Sequence, residues 1–238
     1  MLKSCHFDAR GSFTARLIKG QGAFTLLELL LVIAIVLILA SMVLPAIAHA
    51  KSRVRRVNCA SNLGQLSLAL AMYADDSDDE FPPRGSTTNW ITLLQPYYAD
   101  AKVLQCPADE LAVTRTYIMN GFNDWFDAHL DGLDFLDYMD WNWPHGIVKS
   151  AIPEPADTVA FGEKLSTSGH IHADLLQGNG NDLDEIDHTR HPRSGSRGGS
   201  NFAFVDGSVR FLGYWKSVSP INLWALTPHW RSASLPEP

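Results

Sequence analysis

Six residues between positions 182 and 191 carry side chains that could do chemistry: Asp182, Asp184, Glu185, Asp187, His188 and His191. His170 and His172 lie a short way upstream, and Glu163 a little further. Carboxylates mixed with imidazoles suit either proton transfer or cation binding. Calcium takes six to eight oxygens, so Asp182, Asp184 and Asp187, joined by Asp206, form the candidate metal set. Their spacing is not that of an EF-hand loop, and acidic loops are more often simply solvated. A hydrolase built on the same residues would need an activated nucleophile. No GxSxG, HExxH or phosphate-loop motif accompanies them, so the expectation is a protein without catalytic activity. No cofactor other than calcium is a candidate.

Composition narrows the field further. Over 238 residues, 19 Lys and Arg face 26 Asp and Glu, a net charge of −7, the wrong sign for a phosphate-backbone partner. Nucleic acid is therefore not an expected partner. The three cysteines, Cys5, Cys59 and Cys106, contain no CxxC pair, which argues against a structural zinc site. All seven tryptophans fall at or after Trp90. They could stack on sugars, although core and interface packing is the commoner use of Trp.

The most unusual carboxylate is Glu28, at the edge of an apolar run. From Leu29 to Ala48 no residue is charged, and 20 residues at 1.5 Å rise match the roughly 30 Å hydrocarbon layer of a bilayer. A charge there costs about 2.5–3.5 kcal/mol on insertion scales, so Glu28 requires a partner. The run is too long for a secretory signal, and its small residues sit at the wrong end for cleavage. Lys3, Arg10, Arg16 and Lys19 precede it, and Lys51, Arg53, Arg55 and Arg56 follow, so charge alone leaves the orientation open.

Gly22-Ala23-Phe24-Thr25-Leu26-Leu27-Glu28-Leu29, followed by a long apolar helix carrying Pro45, resembles the prepilin family of type IV pilins and type II secretion pseudopilins. The resemblance implies that a prepilin peptidase removes a cytoplasmic leader and methylates the new N-terminus. It also implies that Glu28 pairs with the N-terminus of a neighbouring subunit during assembly, with everything beyond about Lys51 outside. The family usually has Gly directly before Phe. With Ala23 between them, cleavage after Gly22 and cleavage after Ala23 both stay open, and only the second leaves Glu28 at the family spacing from Phe24. Further along, Cys59-Ala60-Ser61-Asn62-Leu63, Met72 to Asp76, Cys106-Pro107-Ala108-Asp109 and Phe161-Gly162-Glu163-Lys164 resemble large pilin-like proteins of Planctomycetes and Verrucomicrobia type. Those proteins carry a His nine residues before an Asp-Gly pair. Here His191 precedes Asp206 by fifteen, a departure that removes the basis for giving His191 the family role. Some secretion pseudopilins bind calcium on a C-terminal acidic loop, which the 182–187 segment resembles.

On that orientation Cys59 and Cys106 lie where disulfides persist, and a bridge between them would tie the helix to the soluble domain. Four segments result: a basic leader at 1–23, a membrane and assembly half-helix at 24–48, a soluble half-helix at 49–76, and a globular domain at 77–238. Leu63, Leu66, Leu70 and Tyr73 recur at spacings of three and four, one apolar stripe on an otherwise polar helix. Pro45 should bend the helix without ending it, and the acidic run Asp75 to Glu80 followed by Pro82-Pro83 should end it. Beyond that point β-like segments predict an α+β, pilin-like fold, the long helix packed on an antiparallel sheet. Pro192 to Ser200, rich in Gly and Ser, reads as a flexible loop. Asp206-Gly207 predicts a two-residue hairpin pairing Phe202 with Phe211 and Phe204 with Val209, that face being the core. The expected function is a structural subunit of a type IV pilus or type II secretion pseudopilus. It would reside in the inner membrane and filament, with prepilin peptidase and like subunits as partners. The competing reading is a monomeric membrane-anchored module that binds a glycan or a protein.

Overall fold

The computed structural model describes residues 24–85, 88–109, 111, 114–176, 181–193, 195–235 and 237. The chain divides into two compact units, the first ending at Ala46 and the second beginning at Ile47.

Helix α1 (Leu26–Asp76) contributes to both units and continues through Pro45. In the first unit its side chains are exposed, Leu27, Leu37 and Leu44 among them. An apolar surface of that length has no counterpart in a water-soluble helix and suits lipid or another apolar helix. Among the described residues, α1 is the one helix long and apolar enough to cross a membrane. In the second unit, Cys59, Leu63, Leu66, Leu70 and Ala74 form the buried stripe, with Tyr73 half-buried beside it. The helix ends where Asp78 and Asp79 adopt left-handed φ of 51° and 64°, a conformation Asp tolerates better than most residues. Their amides and carbonyls are not idle. Asp79 N–H donates to Ala74 O at 2.9 Å, and the Lys149 and Ser150 amides donate to Asp79 O and Oδ2. The acidic run is thus stitched to the 147–150 segment as well as being a surface turn.

Five strands form one sheet in the order β3-β1-β2-β4-β5. They are β1 (Tyr117–Asn120), β2 (Val159–Glu163), β3 (His172–Ala173), β4 (Gly199–Phe204) and β5 (Val209–Gly213). All neighbours pair antiparallel except β1 with β3, which run parallel, so the sheet is mixed rather than antiparallel as expected. Short helices α2 (Trp90–Leu93), α3 (Asn123–His129), α4 (Gly132–Met139) and α5 (Pro228–Ser232) fill the connections. None of them has a long periodic signature.

Both faces of β1, β2 and β4 are buried, and the edge strand β5 is half-buried. Tyr117, Met119, Phe161 and Ala203 pack with the α1 stripe, whereas Ile118, Val159, Phe202 and Phe204 pack with Trp215, Val218 and Trp224. A register shift between Val159 and Phe161 lets β2 serve both faces out of strict alternation. Asp124 pins the C-terminal segment, its Oδ2 accepting from the amides of Leu226 and Thr227 at 2.8 Å each. At Gly162 a Cβ would meet the Trp224 ring at 2.7 Å, so only glycine lets that indole lie against the strand.

The hairpin departs from expectation by one residue. Phe202 pairs with Arg210 and Ala203 with Val209, which leaves Val205, Asp206 and Gly207 as a three-residue loop closed by Phe204 N–H to Ser208 O. Of the Asp-Gly pair only Gly207 has positive φ, at 86°, so this is a turn followed by a left-handed glycine and not a two-residue turn. Val205 and Asp206 amides donate to Thr158 O and Pro155 O, and these contacts select the longer loop. The slip replaces the expected Phe202/Phe211 and Phe204/Val209 pairs. The face carrying Ala203, expected outside the core, is buried under α1.

Candidate functional site

Three clusters hold the chemically able residues. The first is the start of α1. Thr25 N–H and Oγ1 donate to Glu28 Oε2 at 2.9 and 2.8 Å, and Glu28 N–H donates to Thr25 Oγ1 at 3.2 Å. This is a reciprocal capping box: a hydroxyl residue and a glutamate three positions on satisfy amides that the first helical turn leaves without partners. Glu28 therefore has a local partner within its own chain. Phe24 is exposed, while Gly22 and Ala23 lie outside the described residues.

The second cluster joins segments far apart in sequence. Cys59 of α1 and Cys106 form a disulfide, with their Cα atoms 4.9 Å apart. Beside it His191 Nε2 lies 2.8 Å from Glu163 Oε1 and 3.9 Å from Cys106 Sγ. Asn201 completes the corner: its N–H donates to Glu163 Oε2 at 2.8 Å and its Nδ2 donates to Arg56 O at 3.2 Å. Glu163, His191 and Asn201 are all almost fully buried, so this corner holds the helix to the sheet and meets no solvent-borne substrate. A backbone pair, His191 with Gly199, closes the Gly- and Ser-rich segment, so the expected flexible loop ends in a fixed bridge. One turn away, Arg190 binds Asp109 and Asp187, each at 3.1 Å.

The third cluster surrounds β3. Arg84 Nη2 meets Asp174 Oδ2 at 2.5 Å, Asp182 Oδ2 accepts from Asp174 N–H at 3.0 Å, and His170 Nδ1 lies 3.2 Å from Asp182 Oδ1. Burial, opposed by Arg84, raises Asp174 to about 6, and burial likewise raises Asp182.

The four calcium candidates are not brought together. Asp182 serves Asp174 and His170, and Asp184 is exposed. Asp187 pairs with Arg190 and accepts from the Thr189 amide, and Asp206 accepts from Ser208 N–H in the hairpin loop. Asp187 and Asp206 each close a local turn, which is the usual work of Asp in loops, whereas Asp182 reaches back to residues 170 and 174. Among the described residues, the one set of donors clustered closely enough for a metal is Cys59, Cys106, Glu163 and His191. Its chemistry is not calcium's, and the disulfide engages both sulfurs. The expected Cys59–Cys106 bridge is formed, but its meeting with Glu163 and His191 is not legible in the sequence, because the four residues come from separate segments with no shared spacing.

Two histidines make stability depend on acid. Burial lowers His172 to about 3, reinforced by Arg84 and Arg115, and lowers His188 to about 4. The folded chain keeps both neutral below the ordinary 6.5, where the unfolded chain takes up protons. Their contribution is complete above about pH 6.5 and is lost as pH falls from there toward the lowered values, up to about 3 kcal/mol for His188 at pH 4. Asp174 and Asp182, both raised in the fold, act in the opposite sense. The histidine shifts are the larger, from 6.5 to about 3 and about 4, so the melting temperature should fall from pH 7 to pH 4. His188→Gln keeps a donor toward Leu183 O and should flatten the fall. An equally steep fall in that variant, followed by circular dichroism, would refute the assignment to His188.

No curated protein and no solved structure matches the chain. Residues 18–44, which contain the Thr25/Glu28 cap and most of the apolar run, match the model of the prokaryotic N-terminal methylation motif, the prepilin type of signal.

Proposed function

We propose that this chain is a structural, pilin-like subunit. The first part of α1 anchors it in the inner membrane, prepilin peptidase cuts it beside Phe24 and methylates the new amine, and α1 then packs with like subunits. The product would be a type IV pilus or a type II secretion pseudopilus, serving protein secretion or surface attachment. The observation that carries this reading is a carboxylate at the third helical position of α1, whose apolar first part is exposed, inside the matched motif. In a tether the carboxylate would serve only to cap its own helix, at the cost of a charge at the lipid edge, whereas a filament can also neutralise it between subunits. Cleavage before Phe24 would create an amine one residue from Thr25, close to the capped carboxylate. The finer likeness to the large Planctomycetes and Verrucomicrobia type is part of the proposal, supported by the meeting of its quoted segments at Cys59, Cys106 and Glu163.

Mass spectrometry of the protein from native membranes tests the processing step. The expected N-terminus is methylated Phe24 or Ala23. An intact Met1, or a terminus beyond Ala48, would overturn the pilin reading.

A further inference from the structure

The cluster around β3 contains polar groups that the fold leaves unanswered. The His172 side chain is almost fully buried, yet neither Nδ1 nor Nε2 has a hydrogen-bond partner. A buried polar group without a partner is rare in a folded protein and points to a missing water or ligand. Arg84 is also buried and its Nε is without a partner, although its far end binds Asp174. Both residues line one cavity of about 250 Å³, walled also by Trp141, His170 and Asp174. A water occupies about 30 Å³ of liquid, so one ordered water would not fill it. Trp141 and His170 are both partly exposed, which leaves the cavity a route to solvent.

The one permanent cation here, Arg84, is already met by Asp174, and Asp182 lies beside the His170 ring. His172 stays neutral, so one ring nitrogen donates and the other accepts. A carboxylate or phosphate could only accept, and an ammonium could only donate. A hydroxyl does both. Trp141 adds an apolar wall and is held at φ 66°, a left-handed position after α4 where glycine is the unstrained choice. Strained residues of this kind gather at ligand sites.

We infer that the cavity between Arg84, Trp141 and His172 is a binding site for a small neutral polyhydroxylated ligand of the sugar class. His172 and Arg84 Nε meet its hydroxyls and Trp141 faces its carbon skeleton. The inference does not depend on filament assembly, since the site lies wholly within the second unit.

Saturation-transfer NMR on the full-length protein in a sugar-free detergent tests it, with glucose, galactose and N-acetylglucosamine as probes and acetate as the charged control. Transfer to at least one sugar and none to acetate is expected. His172→Phe keeps a planar ring without nitrogens and should weaken binding about tenfold or more, the factor for one lost buried hydrogen bond. Trp141→Gly suits the left-handed backbone, so it should fold and still bind more weakly, which covers the case in which His172→Phe fails to fold. No transfer from any of the three sugars, transfer from acetate alone, or undiminished transfer in Trp141→Gly would overturn the inference.

Discussion

Glu28→Ala should insert into the membrane at least as well as the wild type and disappear from the sheared filament fraction. Insertion improves because a charge leaves the edge of the apolar run, where it costs about 2.5–3.5 kcal/mol. Assembly fails if the carboxylate is neutralised by a neighbouring subunit, because removing one partner of a desolvated pair costs about 3–5 kcal/mol, more than a hundredfold in an equilibrium. The capping box supplies a control that separates two roles of the same side chain. Glu28→Gln retains a side-chain oxygen for the Thr25 amide and hydroxyl but carries no charge. Recovery of both variants in sheared and membrane fractions, quantified by immunoblot, decides between charge and cap. Both should be lost from filaments. Wild-type filament yield for Glu28→Gln would assign Glu28 to helix capping alone, and wild-type yield for Glu28→Ala would favour the tether over the subunit.

Cys59→Ala combined with Cys106→Ala should cost the second unit about 4 kcal/mol. The bridge spans a sequence separation of 47, and closing a loop of that length removes about that much denatured-state entropy. For a unit of this size the loss lowers the melting temperature by roughly 10–15 °C. The two sulfurs also sit in the main core with Leu63, Tyr117 and Phe161, so the paired alanines leave unfilled space as well. Membrane insertion should be unchanged, because the first unit of α1 makes no use of the bridge. Thermal melts of the two proteins in the same detergent measure the difference. Free alkylation of both Cys59 and Cys106 in freshly isolated envelopes would show that the bridge is not formed in the cell.

What the sequence determined by itself is local. The uncharged run after Glu28 and the 63-66-70 stripe each act within a few turns of one helix, whose geometry ties spacing to contact; the Thr25/Glu28 cap, equally local, was not anticipated. The end of α1 was equally legible, since a run of like charges cannot continue a helix. The α+β class and the hairpin also came from local signals.

Tertiary structure decided what depends on distant segments. Hairpin register was set by Thr158 and Pro155, which capture the Val205 and Asp206 amides, and the turn dipeptide carries no information about those partners. The parallel pairing of β3 and the burial of both faces of β1, β2 and β4 depend on where residues 170–173 and 214–226 return, which periodicity does not encode. His191 and Glu163, 28 residues apart, meet in a dry corner, while in the dense acidic run Asp182 turns to Asp174 and Asp187 to Arg190. Adjacent side chains in a loop point in different directions, so sequence density alone does not make a site. Convergence is a property of the closed chain, where one buried hydrogen bond between remote residues offsets the loop entropy spent in bringing them together.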